Sequence, residues 1–425
     1  MPGSEGGEWR HLAARFAICC ALLPLIAGAC LLALVGAVSL PNQAIADHIL
    51  TDHELFQFGR PPAFNGRKID VGTECLGVSF ALGSKPQGQS SLERAIRAPV
   101  YSSCDELLLG VEKGADLSAH DYSRYWHGYA AISRPLLTII PYRDLRMITF
   151  NAMLLLIGAF AWRLGQDFGG KFAFAFLFPF AFINYAGFFI LWTKAVSWFL
   201  AFGSALWLAS SASKKFDNTR GLPVLFFFGL GCGTAFFDWL TVPLFIFALP
   251  ALTYFLYRLS ENLLPARTQL IDLVKLGIFF GLGYGGLWAI KFSLAAIVVG
   301  PEAWTEILQM IRFRIYGEFE SVKQIPGAAT AENFEALKAF WGGLTLIVFF
   351  GLALSKEDRR ARLMSLFRRR PVLAVIAISP FLWWEVLSNH SQIHAIFTHT
   401  LLVLTLIPFS LVLFGEDQRV LRTSR

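Results

Sequence analysis

Charged residues are scarce in this chain. They make up 16% of its 425 residues, against about 25% in an ordinary soluble domain, so a large solvated surface is excluded. There is no Walker-type phosphate loop and no GxGxxG turn, and nucleotide-driven or nicotinamide chemistry is therefore unsupported. No CxxC pair and no Cys/His ligand spacing occurs, which argues against a zinc site. Internal repeats, coiled-coil heptads and low-complexity tracts are also missing. The net charge of +7 is not a nucleic-acid signal, because most basic residues sit in short segments between apolar runs.

Those runs are what the chain has in abundance. It is 55% hydrophobic, with 41 phenylalanines and 12 tryptophans. The expected fold class is an all-α polytopic membrane protein with about ten transmembrane helices. The spans are expected at 14–40, 145–163, 171–187, 189–211, 221–237, 240–257, 271–297, 337–355, 371–387 and 393–414. The first run is longer than the 7–15 apolar residues of a cleaved leader and is read as a retained span. With the N-terminus inside, more than half of the 37 lysines and arginines fall in short inside segments. They include Arg163, Lys171, Arg220, Arg258, the stretch KEDRRARLMSLFRRR from Lys356 to Arg370, and Arg419, Arg422 and Arg425. That asymmetry places both termini in the cytoplasm. A single membrane domain over 1–425 then carries two long extracytoplasmic segments, 41–144 and 299–336.

Within the first segment, KPQGQSS (Lys85 to Ser91) reads as a turn, and SLER, from Ser91, as a capped helix start. Cys75 and Cys104 are a plausible disulfide if the loop faces an oxidising compartment. The other cysteines, Cys19, Cys20, Cys30 and Cys232, lie in apolar runs and read as packing residues.

Ionisable groups in or beside a membrane are costly and mark function or buried pairs. Asp47 and Asp52 follow the first span. Asp70 and Glu74 are spaced i, i+4, so a helix would present both carboxylates on one face. One could take a proton and the other hold an acceptor or a divalent cation such as Mg or Mn. The alternative is a solvated helix face. The stretch DYSRYWHGYAAISRPLL, Asp121 to Leu137, supplies Arg124 and Arg134 for phosphate oxygens. It also supplies Trp126 and Tyr129 to face a sugar, and His127 to donate a proton; its plain reading is an interfacial belt. Lys194 lies in an apolar run and must pair or snorkel. Asp238 either pairs with it or caps a turn. Arg312 and Arg314 stand beside aromatics, a profile suited to an anionic headgroup. His390 and His394, also i, i+4, suit hydrogen bonding to a phosphate better than metal ligation, since a third ligand is not evident.

The layout resembles the GT-C superfamily of membrane glycosyltransferases: many spans, a long first extracytoplasmic loop with acidic residues, and polar groups gathered toward the outer side. The blocks RYWHGY…RPLL and NHSxIH are also similar to bacterial polytopic membrane proteins. The resemblance implies a site on the periplasmic face of the inner membrane. It implies a polyprenyl-phosphate sugar donor, of arabinofuranose or a hexose, and a glycan, lipid or protein acceptor. It further implies inverting displacement at the anomeric carbon. The base would be Asp70 or Glu74, or else Asp47 or Asp52, and Arg124, His127, Arg312, Arg314 and Lys194 would neutralise the leaving phosphate. A transporter or flippase for an anionic or lipid-linked substrate is the rival from another class, and an assembly scaffold is a third.

Overall fold

The structure is a computed structural model and describes residues 5–56, 70–82, 89–113, 119–183, 185–215, 223–261, 264–317, 322–338 and 342–414. Most of the turn expected at 85–91, and Arg220, Arg419, Arg422 and Arg425, lie outside the described residues.

The chain opens with α1 (Glu5–Ser39). Short helices follow: α2 (Asn42–Thr51), α3 (Val71–Val78), α4 (Ser91–Arg97), α5 (Cys104–Lys113) and α6 (Ala130–Leu137). A two-residue antiparallel pair, β1 (Pro99–Val100) and β2 (His120–Asp121), lies among them. Then come α7 (Tyr142–Phe168), α8 (Gly170–Leu177), α9 (Tyr185–Phe189), α10 (Trp192–Lys215), α11 (Val224–Phe237), α12 (Pro243–Glu261) and α13 (Ala266–Val298). The last group is α14 (Glu302–Tyr316), α15 (Ala328–Lys338), α16 (Gly342–Leu354), α17 (Glu357–Arg369), α18 (Pro371–Val386), α19 (Ser388–Ile393), α20 (Ala395–Thr398) and α21 (Leu402–Phe414).

Among the described residues, five segments are long and apolar enough to cross a membrane: Arg10–Ser39, Tyr142–Phe168, Pro243–Ser260, Ala266–Val298 and Ala395–Phe414. Gly170–Phe182, Val224–Phe237 and Pro371–Val386 are shorter apolar helices. The architecture is an all-α membrane protein, and several of the ten expected spans are not continuous long helices. The run expected at 171–187 passes from α8 into a tight 3-10 turn containing Pro179, then breaks at Ile183, whose backbone is extended. Proline lacks the amide proton an α-helix needs there. At 337–355, α16 has 13 residues, about 20 Å of helix against a hydrocarbon core of about 30 Å.

Helices α11 and α13 pack most closely, through two glycines. A Cβ on Gly231 would meet the carbonyl oxygen of Phe280, and one on Gly283 the carbonyl oxygen of Phe228. Small residues permit such backbone approach where lipid offers no hydrophobic drive to association.

The bundle has two chemically different ends. At one, Arg163 pairs with Asp167 at 3.0 Å and Tyr257 donates to the same carboxylate at 2.5 Å. Gln269 donates to the Arg369 carbonyl at 2.8 Å, beside the arginine-rich α17. The inside segments expected from charge thus meet at one end. The other end collects α2 to α6, α14, α15 and α19. There Ile45, Ile49, Phe56, Val71 and Leu107 bury a small core that also holds the Cys75–Cys104 disulfide. Helix α4 begins with a reciprocal capping box, its N-cap being Ser90 and its partner Glu93. Buried cations clamp these short helices to the bundle. Arg134 donates to the carbonyls of Ala37 at 3.0 Å and Phe80 at 2.8 Å and to Asn42 at 2.7 Å. Lys291 donates to the Ile96 carbonyl at 2.7 Å, at the carboxyl end of α4, where a cation is favoured.

The glycine crossing gives a test. Gly231→Ala or Gly283→Ala is expected to cost about 1–3 kcal/mol through overpacking, seen as a lower melting temperature in detergent. Gly281→Ala, on the same α13 with open space around it, should be tolerated; equal effects from all three would contradict the close crossing.

Candidate functional site

The site starts from α3, whose sequence VGTECLGV is preceded by Asp70. Asp70 is the N-cap: its carboxylate accepts from the Thr73 amide at 3.1 Å and the Thr73 hydroxyl at 2.6 Å. Such capping satisfies amide protons that have no partner inside the helix. The same carboxylate pairs with Lys194 of α10, with Nζ to Oδ2 at 2.9 Å. One turn on, Glu74 is fully buried. It accepts from the amides of Trp192 at 3.1 Å and Thr193 at 3.2 Å, and from the hydroxyls of Tyr142 and Thr193. A carboxylate on the first amides of α10 meets the positive end of the helix dipole. The i, i+4 spacing therefore does put both carboxylates on one face, with different tasks. Glu74 has its oxygens taken up by four donors. The Asp70 side chain keeps 19% of its surface exposed while Lys194 keeps 1%.

Burial alone would raise the Asp70 pKa, but the Lys194 ammonium and the Thr73 hydrogen bonds outweigh it and hold the carboxyl at about 2. Lys194 also sits over the Phe397 ring, 3.9 Å from its centroid. That ring stacks on His394 at 5.0 Å. His394 Nε2 accepts from Arg314 at 2.8 Å, and His390 Nδ1 accepts from the same Arg314 nitrogen at 3.2 Å. An arginine only donates, so these imidazole nitrogens are unprotonated. The other His390 nitrogen lies 3.0 Å from the Leu240 carbonyl, which fixes its tautomer. Burial lowers both imidazoles first, and the Arg314 charge lowers them further, His394 to about 3. The histidine pair thus cradles a guanidinium. As placed, these residues do not fit a divalent cation, because Arg314 occupies the slot between the imidazoles and Lys194 occupies Asp70. Among the described residues no group of three or more potential ligands gathers.

Arg314 also lines a cavity of about 270 Å³ between α13, α14 and α18. Its walls include Trp288, Phe292, Ile307, Met310, Ile311, Trp383 and Leu387, and its polar lining includes Arg124, Tyr125 and Tyr284. Four of these residues carry buried polar atoms without a protein partner: Arg124 Nε, Arg314 Nε, Tyr284 Oη and Trp288 Nε1. Buried donors are ordinarily satisfied, yet these four atoms have almost no exposed surface and are not open to the cleft as it stands, whose accessible lining is apolar. Arg124 is held over the Tyr122 ring at 4.0 Å, with Glu306 at 3.6 Å from its Nη1. Leu240, also in the lining, takes a left-handed backbone at φ 69°. That is uncommon for a bulky side chain and concentrates at functional sites.

The remaining expected residues stand apart. Trp126 donates to the Leu287 carbonyl at 3.0 Å and packs on Phe236. Buried His127 bridges the Tyr129 hydroxyl at 2.8 Å and the Tyr122 carbonyl at 3.0 Å, and burial holds its pKa near 3. Tyr129 stacks on Trp239 at 5.1 Å. Arg134 has three acceptors inside the protein, as described above. Asp52 caps the start of α7 through the Arg143 amide at 2.8 Å. Asp238 accepts from Ser197 at 2.7 Å and from the Thr241 and Val242 amides at 2.9 and 3.2 Å, so Lys194 pairs with Asp70 and not with Asp238. Asp47 and Arg312 are exposed, on α2 and α14. Tyr284 and Trp288, spaced i, i+4 within a span, read in sequence as ordinary apolar helix. Compared with models of known families, with characterised proteins and with solved structures, the chain matches none.

The Asp70–Lys194 pair predicts an acid dependence. A carboxyl lowered in the folded state contributes stability above its unfolded pKa of 3.8 and loses it as pH falls through about 2. Wild type should lose more stability than Asp70→Asn between pH 4 and 2, measured by melting in detergent across that window. Identical losses would mean that the pair does not form.

Proposed function

We propose that the protein is a membrane glycosyltransferase of the GT-C type that takes a sugar from a polyprenyl-phosphate carrier. The observation that carries this reading is the apolar cleft bordered by Arg124 and Arg314, with Arg314 joined by packed contacts through His394 and Phe397 to the Lys194–Asp70 pair. A long apolar chain fits the walls, and Arg124 and Arg314 at their border supply the charge that a phosphate needs. The acceptor hydroxyl attacks the anomeric carbon from the side of Asp70. Its proton passes to the Asp70 carboxylate, the new C–O bond forms, and the bond from the anomeric carbon to the phosphate oxygen breaks. The electron pair leaves on the lipid phosphate, where Arg314 and Arg124 stabilise it in a partly dry cleft.

Asp70 is the better base because Glu74 is walled in by four donors, Asp52 and Asp238 cap helices, and Asp47 lies on the exposed face of α2. His390 and His394 act as positioning residues for Arg314. The transporter reading draws no comparable support, since the cluster gathers at one end of the bundle and not along a path through it. By the charge asymmetry that end is the extracytoplasmic one, which the resemblance makes the periplasmic face of a bacterial inner membrane. The sugar, arabinofuranose or a hexose, and the glycan, lipid or protein acceptor stay with the resemblance.

The test uses purified protein in lipid nanodiscs with radiolabelled polyprenyl-phosphate sugars, following release of sugar to an acceptor extract. Asp70→Asn should lower turnover roughly a thousandfold and Arg314→Gln roughly a hundredfold. Arg312→Gln should leave it unchanged. Turnover retained in Asp70→Asn removes this residue as base, and donor moved across the bilayer without sugar release replaces the transferase by a transporter.

A further inference from the structure

We propose that Lys194 is a transferable clamp: it holds the Asp70 carboxylate in the free protein and moves to the phosphate oxygens of an incoming lipid phosphate, which frees Asp70 to accept the proton. This rests on the reading of the cleft as a lipid-phosphate site.

The geometry argues for a handover. Asp70 has two sets of partners. Thr73 holds both of its oxygens, at 3.1 and 2.6 Å, while Lys194 holds Oδ2 alone, at 2.9 Å. Loss of Lys194 would leave the carboxylate anchored at the start of α3, still in place. Among the described residues the Lys194 ammonium has no such second anchor: it otherwise rests on the face of Phe397, 3.9 Å from the centroid. A cation over a ring face is attracted without a fixed direction, so the ammonium can turn on that surface. The same ring carries His394, whose far side holds Arg314 at 2.8 Å. The lysine and the cleft arginine thus flank one His–Phe stack. A phosphate seated beside that stack carries more negative charge than one carboxylate offers, and at low dielectric that difference decides the partner.

The residue type agrees. A lysine is a point charge on a flexible stem, whereas an arginine fork would lock onto the carboxylate. The handover moves no proton and breaks no covalent bond. An Nζ–H···Oδ2 hydrogen bond is exchanged for Nζ–H···O–P. A carboxylate clamped by Lys194, with its pKa at about 2, is a weak base, and release raises its basicity only once the donor is seated. Water is thereby denied an activated base in the absence of donor.

The experiment measures binding of undecaprenyl phosphate, without sugar, to the full chain in nanodiscs. Quenching of tryptophan emission serves as the signal, since Trp288 and Trp383 line the cleft. Asp70→Asn should bind about tenfold tighter and Lys194→Met about tenfold weaker, within the range of coupling between contacting residues. The gain from Asp70→Asn should vanish in the Lys194→Met background. An equal gain in both backgrounds overturns the proposal, because Asp70 would then act through its own charge alone. Should a single variant fail to fold, the structure of wild type with the carrier decides. Lys194 on phosphate supports the handover, and Lys194 still on Asp70 overturns it. Inorganic phosphate is titrated in parallel; the same pattern there supports the handover and overturns the lipid as its ligand. No binding of either ligand overturns the cleft reading and the handover together, whereas failure of sugar transfer with binding intact touches the transferase reading alone.

Discussion

Two carboxylates one helical turn apart, Asp70 and Glu74, fasten the short helices of the first long loop to the start of α10. Glu74 caps that helix from the side and binds Tyr142 of α7, so α3, α7 and α10 share one buried anion. With Glu74 fixed, Asp70 has to stand beside the next residue but one of α10, Lys194. The placement of the candidate base is therefore a by-product of a structural joint. Breaking such a buried, fully hydrogen-bonded group is costly because its donors would be left unpaired.

At the same end of the bundle, three cations rest on neutral groups. Arg134 and Lys291 are buried against backbone carbonyls, and half-buried Arg314 lies against two neutral imidazoles. Carbonyls and imidazole nitrogens satisfy hydrogen bonds without cancelling charge, so these three sites stay locally positive. Local positive charge beside apolar walls is the setting that suits the proposed anion with an apolar tail. The same construction keeps the histidines neutral, since a protonated ring would face a guanidinium.

Much of this was legible in the sequence, and the physical reason is locality. Apolar length and basic asymmetry are properties of short windows, and they separate the two ends of the bundle. The Ser90–Glu93 capping box is three residues wide and was readable to within one residue. Carboxylates that cap distant helices are not readable in this way. Asp52 serves the start of α7, Glu74 that of α10, and Glu385 that of α15. In sequence Asp52 and Glu74 look like candidate bases, and only the fold shows which oxygens are already taken. The aromatic-basic stretch 121–137 misleads for a similar reason. Its composition suits a sugar and a phosphate, yet Trp126, His127, Tyr129 and Arg134 face inward, and Arg124 reaches the cleft. The span count was blurred where Pro179 interrupts an apolar run, because hydropathy does not register a missing amide proton.

The most direct test of the account is where a lipid phosphate sits. A polyprenyl-phosphate analogue with a photoactivatable group near its headgroup would be crosslinked to the purified protein in nanodiscs and the labelled peptides identified. The account expects label on the α14 segment around Met310 to Arg314 and on the α18 segment around Trp383 to Leu387, competed away by unlabelled carrier. Specific labelling confined to α8, α16 or α17, with none on the cleft walls, would contradict it.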